Sequence, residues 1–563
     1  MSAPTRRGRG VPAPPCAPLL ALVLALSGCA GGPAATRWAG DPDSVASAFA
    51  HPSAALAWPG STRAFQVRAG GELYNGAWTV LLSPSADGVA AAPPRRIAFE
   101  DRWRPVAHWR RAAAGVTWEF EACALPAPTP ADTSELVTLA VRAINTGATS
   151  AACTLRAQLA PIPAGAGWVA FDAPPAGSAV PEWSAPAGGA IAGLAPGMTL
   201  SGPLAEASAM LAPGASREWR LVLAAHAMGR EALERWARVP HARRADEVRR
   251  YWERETGRGT RFELGDREVQ DALKAARVVL LESRMRAAGA SMPTAGPFQY
   301  RDVWLRDGAR SVAALSVSGY TREARELADG LSLFQWSQGA FLSQRGQLDG
   351  NGQAPWAFAQ AALRPEPDST VARLAERALG ACLWIEAQRA FGASAGWPRA
   401  RLLPYAEPRD AELVRAQLVG NDAWSLAGLE STARLLRAAH READAAHVDS
   451  LREAYAADFR AALAGCGRPD VPPSWQGKGH DWGNLAVAWP ARALPASDPR
   501  LAVLAGRSWA ACPEPGLTSY GTPDSLHAYV GADLGTWALL ANTGRTTPAS
   551  VSASNSALWS AHA

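Results

Sequence analysis

The sequence predicts a β-rich N-terminal region followed by a barrel of paired helices. Two patterns predict this: alternating apolar and polar residues recur between about 60 and 225, and ten segments with helical periodicity follow from Asp266. The 563 residues suffice for two or three domains, and a composition of 48% hydrophobic and 19% charged residues excludes wholesale disorder. The predicted order is an antiparallel β-sandwich over 59–227, a linker helix over 228–262, a helical-hairpin barrel over 263–545 and an irregular tail over 546–563.

Period-two alternation supports the β-sandwich. Trp118 and Phe120 alternate with Thr and Glu neighbours, similar runs follow, and Asn145-Thr146-Gly147 supplies a turn between two of them. No chemical constellation stands out in this region, so we expect a structural or accessory role. Cys123 and Cys153 fall on two predicted strands, and both a disulfide and two buried free thiols are consistent with that placement.

The N-terminus is typical of an exported protein. Its apolar run from Ala17 to Leu26 is too short to span a bilayer and predicts the hydrophobic region of a signal peptide over 1–28. Leu26-Ser27-Gly28-Cys29 resembles the bacterial lipobox, which predicts lipidation of Cys29, a tether over 29–58 and anchoring to the cell envelope by acyl chains. The alternative is an ordinary signal peptide cleaved nearby.

The charge gives no support for a nucleic-acid partner. The formal net charge is +5, and three of the arginines lie in the leader, at positions 6, 7 and 9, so the mature chain carries little excess positive charge. The cysteines after Cys29 show no zinc-like spacing. We therefore expect no metal and no cofactor, and a membrane contact only through the lipid anchor.

The connections between the predicted helices differ by position. Links from even to odd helices are short, whereas links from odd to even helices are long and rich in Trp, Tyr, Gly and carboxylates. In antiparallel hairpins all the odd-to-even links lie at one end, so we expect these five loops to converge on a functional face. The ten predicted helices are 266–284, 308–319, 321–338, 353–363, 368–391, 421–439, 441–464, 482–492, 500–511 and 527–543.

The predicted face has the residue types that bind sugars. Flat aromatic rings suit the apolar face of a sugar ring, and bidentate polar groups suit its hydroxyls. The face lacks a phosphate-binding P-loop, a His-rich metal cluster and a Gly-x-Ser-x-Gly elbow. The predicted substrate-binding residues are Asp302, Trp304, Arg306, Asp307, Asp349, Gln353, Trp475, Trp482 and Tyr520.

The hairpin region opens with Trp304-Leu305-Arg306-Asp307, and Asn421-Asp422-Ala423-Trp424 and Asp481-Trp482-Gly483-Asn484 follow at later loops. With the β-sandwich and the linker helix, this arrangement resembles the six-hairpin (α/α)6 glycosidases, the glucoamylase-like and glycogen-debranching-like branches being nearest. The resemblance covers about residues 60–545. It implies an (α/α)6-toroid-like barrel and a glycoside hydrolase that acts on an oligo- or polysaccharide, such as an α-glucan, by a two-carboxylate inverting mechanism.

The resemblance also implies roles for single residues. Arg306 and Asp307 match the pair that binds hydroxyls of the sugar at the cleavage point; the alternative is a structural pair in which Asp307 caps a helix. Glu407 lies in the loop that holds the family's general acid, although it lacks the family's Trp-Glu pattern. Glu386, which follows Leu-Trp-Ile, is the alternative acid but falls within a predicted helix.

The catalytic base departs from the family pattern. In the family this residue is a Glu just before the twelfth helix, whereas only ten helices are predicted here and no carboxylate follows Asp533. We therefore expect a barrel that is incomplete at the C-terminus, with Asp481 as the candidate base. A non-catalytic carbohydrate-binding or scaffold lipoprotein with a degenerate site is the alternative function. A phosphorylase on the same scaffold would need a phosphate site, for which the sequence has no strong signal.

Overall fold

A computed structural model of the chain describes residues 54–125, 135–161, 182–183, 190–298, 301–364, 369–408, 414–481, 483–512, 518–519, 526–527 and 529–541. These residues form antiparallel sheets followed by a succession of helices, which confirms the predicted mixed β plus α class. Among the helices of these residues, none is long and apolar enough to cross a bilayer.

The N-terminal strands form two antiparallel sheets. The eight-stranded sheet has the order β1-β2-β3-β4-β10-β13-β12, with β5 paired to β4, and the six-stranded sheet has the order β11-β14-β9-β8-β7-β6. The strands are β1 (Ala54–Leu56), β2 (Phe65–Val67), β3 (Leu73–Tyr74), β4 (Thr79–Ala86), β5 (Val89–Ala90), β6 (Ile97–Glu100), β7 (Arg104–Ala113), β8 (Val116–Leu125), β9 (Leu136–Asn145), β10 (Ala151–Ala160), β11 (Ala190–Leu194), β12 (Thr199–Ser201), β13 (Leu204–Leu211) and β14 (Ser216–Gly229).

The two sheets share one hydrophobic core. Val80 and Leu155 of the eight-stranded sheet belong to the same buried cluster as Trp109 and Phe120 of the six-stranded sheet. The rings of Trp109 and Phe120 stack with their centroids 4.9 Å apart. Large aromatic side chains on alternate positions therefore fill the space between the sheets, as the period-two pattern predicts.

The six-stranded sheet is covered on its second face by helices. α1 (Arg230–Ala237) and α2 (His241–Arg258) occupy the predicted linker, and Trp252 of α2 packs in one cluster with Val106 and Cys123 of the sheet. This cover explains why β9 is buried at consecutive positions instead of alternating. Cys123 and Cys153 are both buried free thiols, so the structure has the second of the two predicted alternatives.

The remaining helices match nine of the ten predicted segments. The prediction of a helix over 482–492 is wrong: only the 3₁₀ turn η1 (Asn484–Val487) forms there, between Gly483 and Pro490, both of which disfavour a longer helix. The helices are α3 (Arg267–Glu282), α4 (Leu305–Val317), α5 (Thr321–Ser332), α6 (Gly350–Ala362), α7 (Val371–Ser394), α8 (Val419–Ala438), α9 (Glu442–Gly465), α10 (Pro499–Ala510) and α11 (Tyr529–Leu540). Two short hairpins, β15 (Arg284–Ala287) with β16 (Ala290–Pro293) and β17 (Thr518–Ser519) with β18 (Leu526–His527), lie between helices.

The helices α4, α6 and α8 form an inner layer. Nearly all of α6 is buried, and it crosses α8 closely at Gly352, where an added Cβ would collide with the carbonyl of Trp424. Gly428 of α8 faces the same crossing. Two glycines therefore allow the inner helices to approach closely, and their N-terminal ends carry the candidate site.

Candidate functional site

The loops that follow the outer helices lie against one another at the N-terminal ends of the inner helices. An added Cβ on Gly346 of loop 2 would collide with the carbonyl of Glu407 in loop 3, and Trp475 N–H of loop 4 donates to Gln417 O of loop 3 at 2.9 Å. We call this surface the loop face; it comprises loop 1 (294–304), loop 2 (333–349), loop 3 (395–418), loop 4 (466–483) and loop 5 (511–528), within the described residues.

A buried ion pair joins the first two inner helices. Nε and Nη2 of Arg306, in the first turn of α4, donate to Oδ2 of Asp349 at 2.9 and 2.6 Å. Gln353 donates its Nε2 to the same oxygen at 2.7 Å. Asp349 precedes α6, so the pair fixes the starts of α4 and α6 relative to each other. Three of the predicted binding residues therefore form one buried cluster.

Asp307 follows Arg306 in the chain but, unlike Asp349, does not take part in the buried ion pair. Burial raises the pKa of its carboxyl, while the guanidiniums of Arg306 and Arg310 act in the opposite direction and the charge of Asp349 adds to the increase. Among the described residues, no side chain donates a hydrogen bond to the Asp307 carboxylate. It is half-buried, so Asp307 combines contact with solvent, a raised pKa and unused acceptor capacity.

An aspartate lies at or near the N-terminal end of α4, α6, α8, η1 and α11, and in the first three the helix dipole favours its negative charge. Four of these five aspartates have strong partners in the fold, and Asp307 is the exception. Asp533 of α11, for example, pairs with Arg310 of α4 at 2.9 Å, which links the last described helix to the first inner one. The five are Asp307, Asp349, Asp422, Asp481 and Asp533.

Asp481, the predicted base, is held in an ion pair. Arg507 of α10 donates Nε and Nη2 to its two oxygens, each at 2.7 Å, and Asn484 donates to Oδ1 at 2.8 Å. Burial raises the pKa of Asp481, and the hydrogen bond from Asn484 lowers it. Both oxygens are therefore already used by groups of the protein.

Asp422 is a buried centre of hydrogen bonds that the sequence did not single out as a site residue. Leu403 N–H and the Tyr455 hydroxyl donate to Oδ1 at 2.9 and 2.5 Å, and the Trp475 indole N–H donates to Oδ2 at 2.7 Å. Burial raises the pKa of Asp422 to about 6 despite these donors. The carboxyl therefore ties loop 3, loop 4 and α9 together. Trp475, a predicted sugar-binding residue, is only 8% exposed, and its indole N–H is used in the hydrogen bond to Asp422.

Glu407, the predicted acid, is exposed on loop 3, two residues after Tyr405, whose ring is 38% exposed. The hydroxyl of Tyr405 lies 3.5 Å from Nε2 of Gln476 in loop 4. Glu386, the alternative acid, pairs instead with His447 between the outer helices α7 and α9. Of the two, Glu407 alone lies on the loop face.

Trp304 and Asp302 precede α4. Asp302 is exposed, and Trp304 is half-buried at the N-cap position, with its indole N–H buried and without a hydrogen-bond partner among the described residues. Such an orphaned donor costs free energy unless a ligand or water accepts from it. The predicted residues Cys29, Trp482 and Tyr520 lie outside the described residues.

No protein-family model matches the chain, and no curated protein matches its sequence. Among solved structures, the chain is similar to a bacterial glucoamylase complexed with acarbose, with 10% identity and a TM-score of 0.43 over 72% of this chain and 68% of that one. It is also similar to a protein described as a kojibiose phosphorylase from the human microbiome, with 8% identity and a TM-score of 0.43 over 72% and 63%. A third is a glycosyl hydrolase of family GH92, with 10% identity and a TM-score of 0.27 over 70% and 50%.

These neighbours agree with the glucoamylase-like glycosidase resemblance predicted from the sequence. The chain spans 50–68% of their lengths. With every TM-score below 0.5, the likeness determines neither the reaction nor the substrate of this chain.

Proposed function

We propose that the protein acts on carbohydrate at the loop face, as a glycoside hydrolase-like enzyme. The observation that carries the proposal is Asp307: a half-buried carboxyl with free acceptor capacity, next to a guanidinium that Asp349 holds in place. A carboxylate beside a fixed arginine binds adjacent hydroxyls of one sugar ring, since the first accepts hydrogen bonds and the second donates them. Trp304, three residues before Asp307, has a buried indole N–H without a partner among the described residues.

In this proposal Arg306 and Asp307 bind the sugar at the cleavage point and Glu407 is the proton donor. Support for Glu407 is its exposure on loop 3, which contacts loop 2 at Gly346. An inverting pair would require a second carboxylate about 6.5–9.5 Å away to activate water. Asp481 would fill that role only after release from Arg507 and Asn484.

The engagement of Asp481 favours a second candidate function, carbohydrate binding without turnover. Asp349, Asp422, Asp481 and Asp533 are all engaged by partners in the fold, which leaves Asp302, Asp307 and Glu407 as carboxylates without an ion pair among the described residues of this face. A site that binds hydroxyls yet lacks a free base would bind sugar and release no product.

A glycan panel measured for both binding and sugar release separates the two candidates. Asp307→Asn should weaken binding and turnover together by about tenfold or more, because it removes a charged acceptor. Glu407→Gln should abolish turnover and leave binding intact. Glu453→Gln, on the exposed side of α9, is the matched control. Inertness of the unaltered protein in both assays would refute the proposal, whereas binding without release would establish the second candidate.

We also propose that the described helices belong to a toroid of (α/α)6 type that is incomplete, and that the two sheets form a β-sandwich. The alternation of buried inner helices with half-exposed outer helices supports the toroid. The core that the two sheets share supports the β-sandwich. An experimentally determined structure tests both.

We further propose that the protein is exported and anchored to the bacterial cell envelope through Cys29. The lipobox-like sequence supports this proposal. Incorporation of labelled palmitate into the protein, and loss of the label in Cys29→Ser, is the expected result. Unchanged fractionation and no label in the unaltered protein would contradict it.

A further inference from the structure

A groove of about 510 Å³ lies between the β15–β16 hairpin and α5. Its size falls in the range of small-molecule sites. None of the loop-face residues described above lines it. The charged and hydroxyl groups along its walls are Arg284, Arg286, Ser291, Arg322, Glu326 and Asp329.

Local structure explains why these side chains share the groove. Arg284 and Arg286 are two residues apart on β15, so both lie on one face of the hairpin, and Ser291 of β16 is the register partner of Arg286. On α5, Glu326 is four residues after Arg322, so both lie on one helix face.

The base of the groove is a backbone junction between the sheet region and the hairpin. Gly60 N–H donates to Arg284 O at 2.7 Å, and Arg286 N–H donates to Gly60 O at 3.1 Å. These bonds fix the strand that carries both arginines. The groove is therefore built on regular backbone.

The charges that face the groove are only loosely paired with one another. Arg284 is largely buried, its Nε donates to Leu281 O at 3.0 Å, and its nearest carboxylate, Glu326, is 3.9 Å away. Burial lowers the pKa of Arg284. The side chain of Arg286 is exposed and has no hydrogen-bond or ion-pair partner among the residues the structure describes.

Of the other charged groups that line the groove, two are paired with residues outside it and one is not. Arg322 binds Glu323 at 2.7 Å, and Asp329 binds Arg373, so both have partners outside the groove. Glu326 has only long contacts, at 3.9 Å to Arg284 and to Arg322 and 3.5 Å from the Ser291 hydroxyl. Two guanidiniums and one carboxylate therefore keep hydrogen-bonding capacity that points into the same space.

We propose that this groove binds a sugar acid, with its carboxylate on Arg284 and Arg286 and its hydroxyls on Glu326 and Ser291. Guanidinium groups match a carboxylate in charge and in planar geometry. An ionised glutamate accepts hydrogen bonds and donates none, so it selects hydroxyl groups and repels a second anion. The assignment stands independently of the reaction proposed for the loop face, because the groove shares no residue with that site.

Isothermal titration of the full chain with glucuronate, glucose and inorganic phosphate tests the proposal. Glucuronate should bind at millimolar concentrations, and glucose should bind at least tenfold more weakly because it lacks the carboxylate. Phosphate tests whether the groove binds any anion, because in such a site the negative charge of Glu326 would not contribute to binding. No heat with glucuronate, or equal affinity for glucose, would overturn the proposal.

Two variants sharpen the test. Arg286→Gln should weaken glucuronate and phosphate alike by about tenfold, because both need the guanidinium. Glu326→Gln should weaken glucuronate while strengthening phosphate, because it removes both the hydroxyl acceptor and a repelling charge. Arg217→Gln, an exposed arginine of β14, is the matched control for net charge. If Glu326→Gln strengthens both ligands, or if Arg217→Gln weakens them as Arg286→Gln does, the sugar-acid assignment is wrong.

Discussion

Two acidic clusters lie where the sheets meet the helices, and the pKa values of their carboxyls are shifted in opposite directions. In the first, which we call the paired cluster, Nη2 of Arg249 contacts Glu100 and Glu121 at 2.8 and 3.0 Å. Burial would raise the pKa of both carboxyls, but hydrogen bonds from His108 and His241 and the charge of Arg249 lower each to about 2.

The second, the acid-rich cluster, contains Glu135, Glu282 and Arg301. Glu135 Oε2 accepts from Trp58 N–H at 2.6 Å, but Oε1 of both glutamates is buried without a hydrogen-bond partner among the described residues. Arg301 donates to the carbonyls of Pro297 and Ser61. Burial raises the pKa of both glutamates well above the usual value, and the charge of Glu135 raises that of Glu282 further.

The comparison shows that burial alone does not decide whether a carboxyl is charged. Each cluster holds two glutamates against helices, yet the donors differ: Arg249 donates to oxygens of both glutamates of the paired cluster, whereas the arginine of the acid-rich cluster donates to backbone carbonyls. A buried carboxylate whose donors do not offset its burial is expensive to keep charged, so its pKa rises. The Glu100, His108 and Glu121 ligand atoms are also close enough to hold a metal ion, but Arg249 already supplies the positive charge there.

Removing the central arginine of the paired cluster should have the largest effect. Arg249→Met keeps the bulk of the side chain but leaves two buried carboxylates without their main partner, so we expect a loss of about 3–5 kcal/mol in the free energy of unfolding. Urea denaturation followed by circular dichroism measures it. Arg250→Met, at the exposed neighbouring position of α2, is the control and should change stability little. Equal effects of the two variants would show that the paired cluster is not held by charge.

Asp422 extends the comparison to the candidate site. Its pKa of about 6 lies above that of an unfolded aspartate, so its contribution to stability is full below about pH 4 and is lost as the pH rises through about 6. The stability of the unaltered protein minus that of Asp422→Asn should therefore fall by about 3 kcal/mol over that range. Denaturation at several pH values measures this difference, in which the other titrating groups cancel. A difference that is flat or rises with pH would contradict the raised pKa of Asp422.

Replacing one glutamate in each cluster tests the contrast directly. Glu121→Gln removes a charge that Arg249 and His241 need, and we expect it to cost about 2 kcal/mol at neutral pH. Burial raises the pKa of Glu282 and so disfavours its charged form, and Glu282→Gln should therefore change stability by less than about 1 kcal/mol. The same denaturation assay compares them. Should Glu282→Gln cost as much as Glu121→Gln, the two clusters do not differ in charge state.

Much of the fold could be predicted because local periodicity records which face is buried. β10 alternates as predicted, with Cys153 and Leu155 buried and Arg156 exposed. β9 departs from alternation because α2, distant in sequence, covers its second face. Helix positions could be predicted from the 3.6-residue pattern. The segment at 482–492 has apolar residues but forms only a 3₁₀ turn, because Pro490 interrupts it.

The candidate site could be predicted only in outline. The rule that all links from odd to even helices lie at one end predicted that Arg306, Asp307 and Asp349 lie near one another, because hairpin geometry alone determines which loops share an end. The partner of Asp481 could not be predicted, since Arg507 lies 26 residues away on another helix. Whether an aspartate is free or paired depends on such contacts, and no local pattern records them.

The smallest expected effect on the free energy of unfolding comes from an exposed ion pair between an arginine and a glutamate. Arg102 and Glu268 form an ion pair at 3.0 Å between the sheet region and α3, with side chains 51% and 68% exposed. It joins the same residue types as Arg249 with Glu100, but by a single contact, and water screens both charges, so nothing is left desolvated when one is removed. Arg102→Gln should therefore change the free energy of unfolding by less than about 0.5 kcal/mol in the same assay. A cost close to that of Arg249→Met would mean that bridging sheet to helix, and not burial of the charges, is what makes the paired cluster strong.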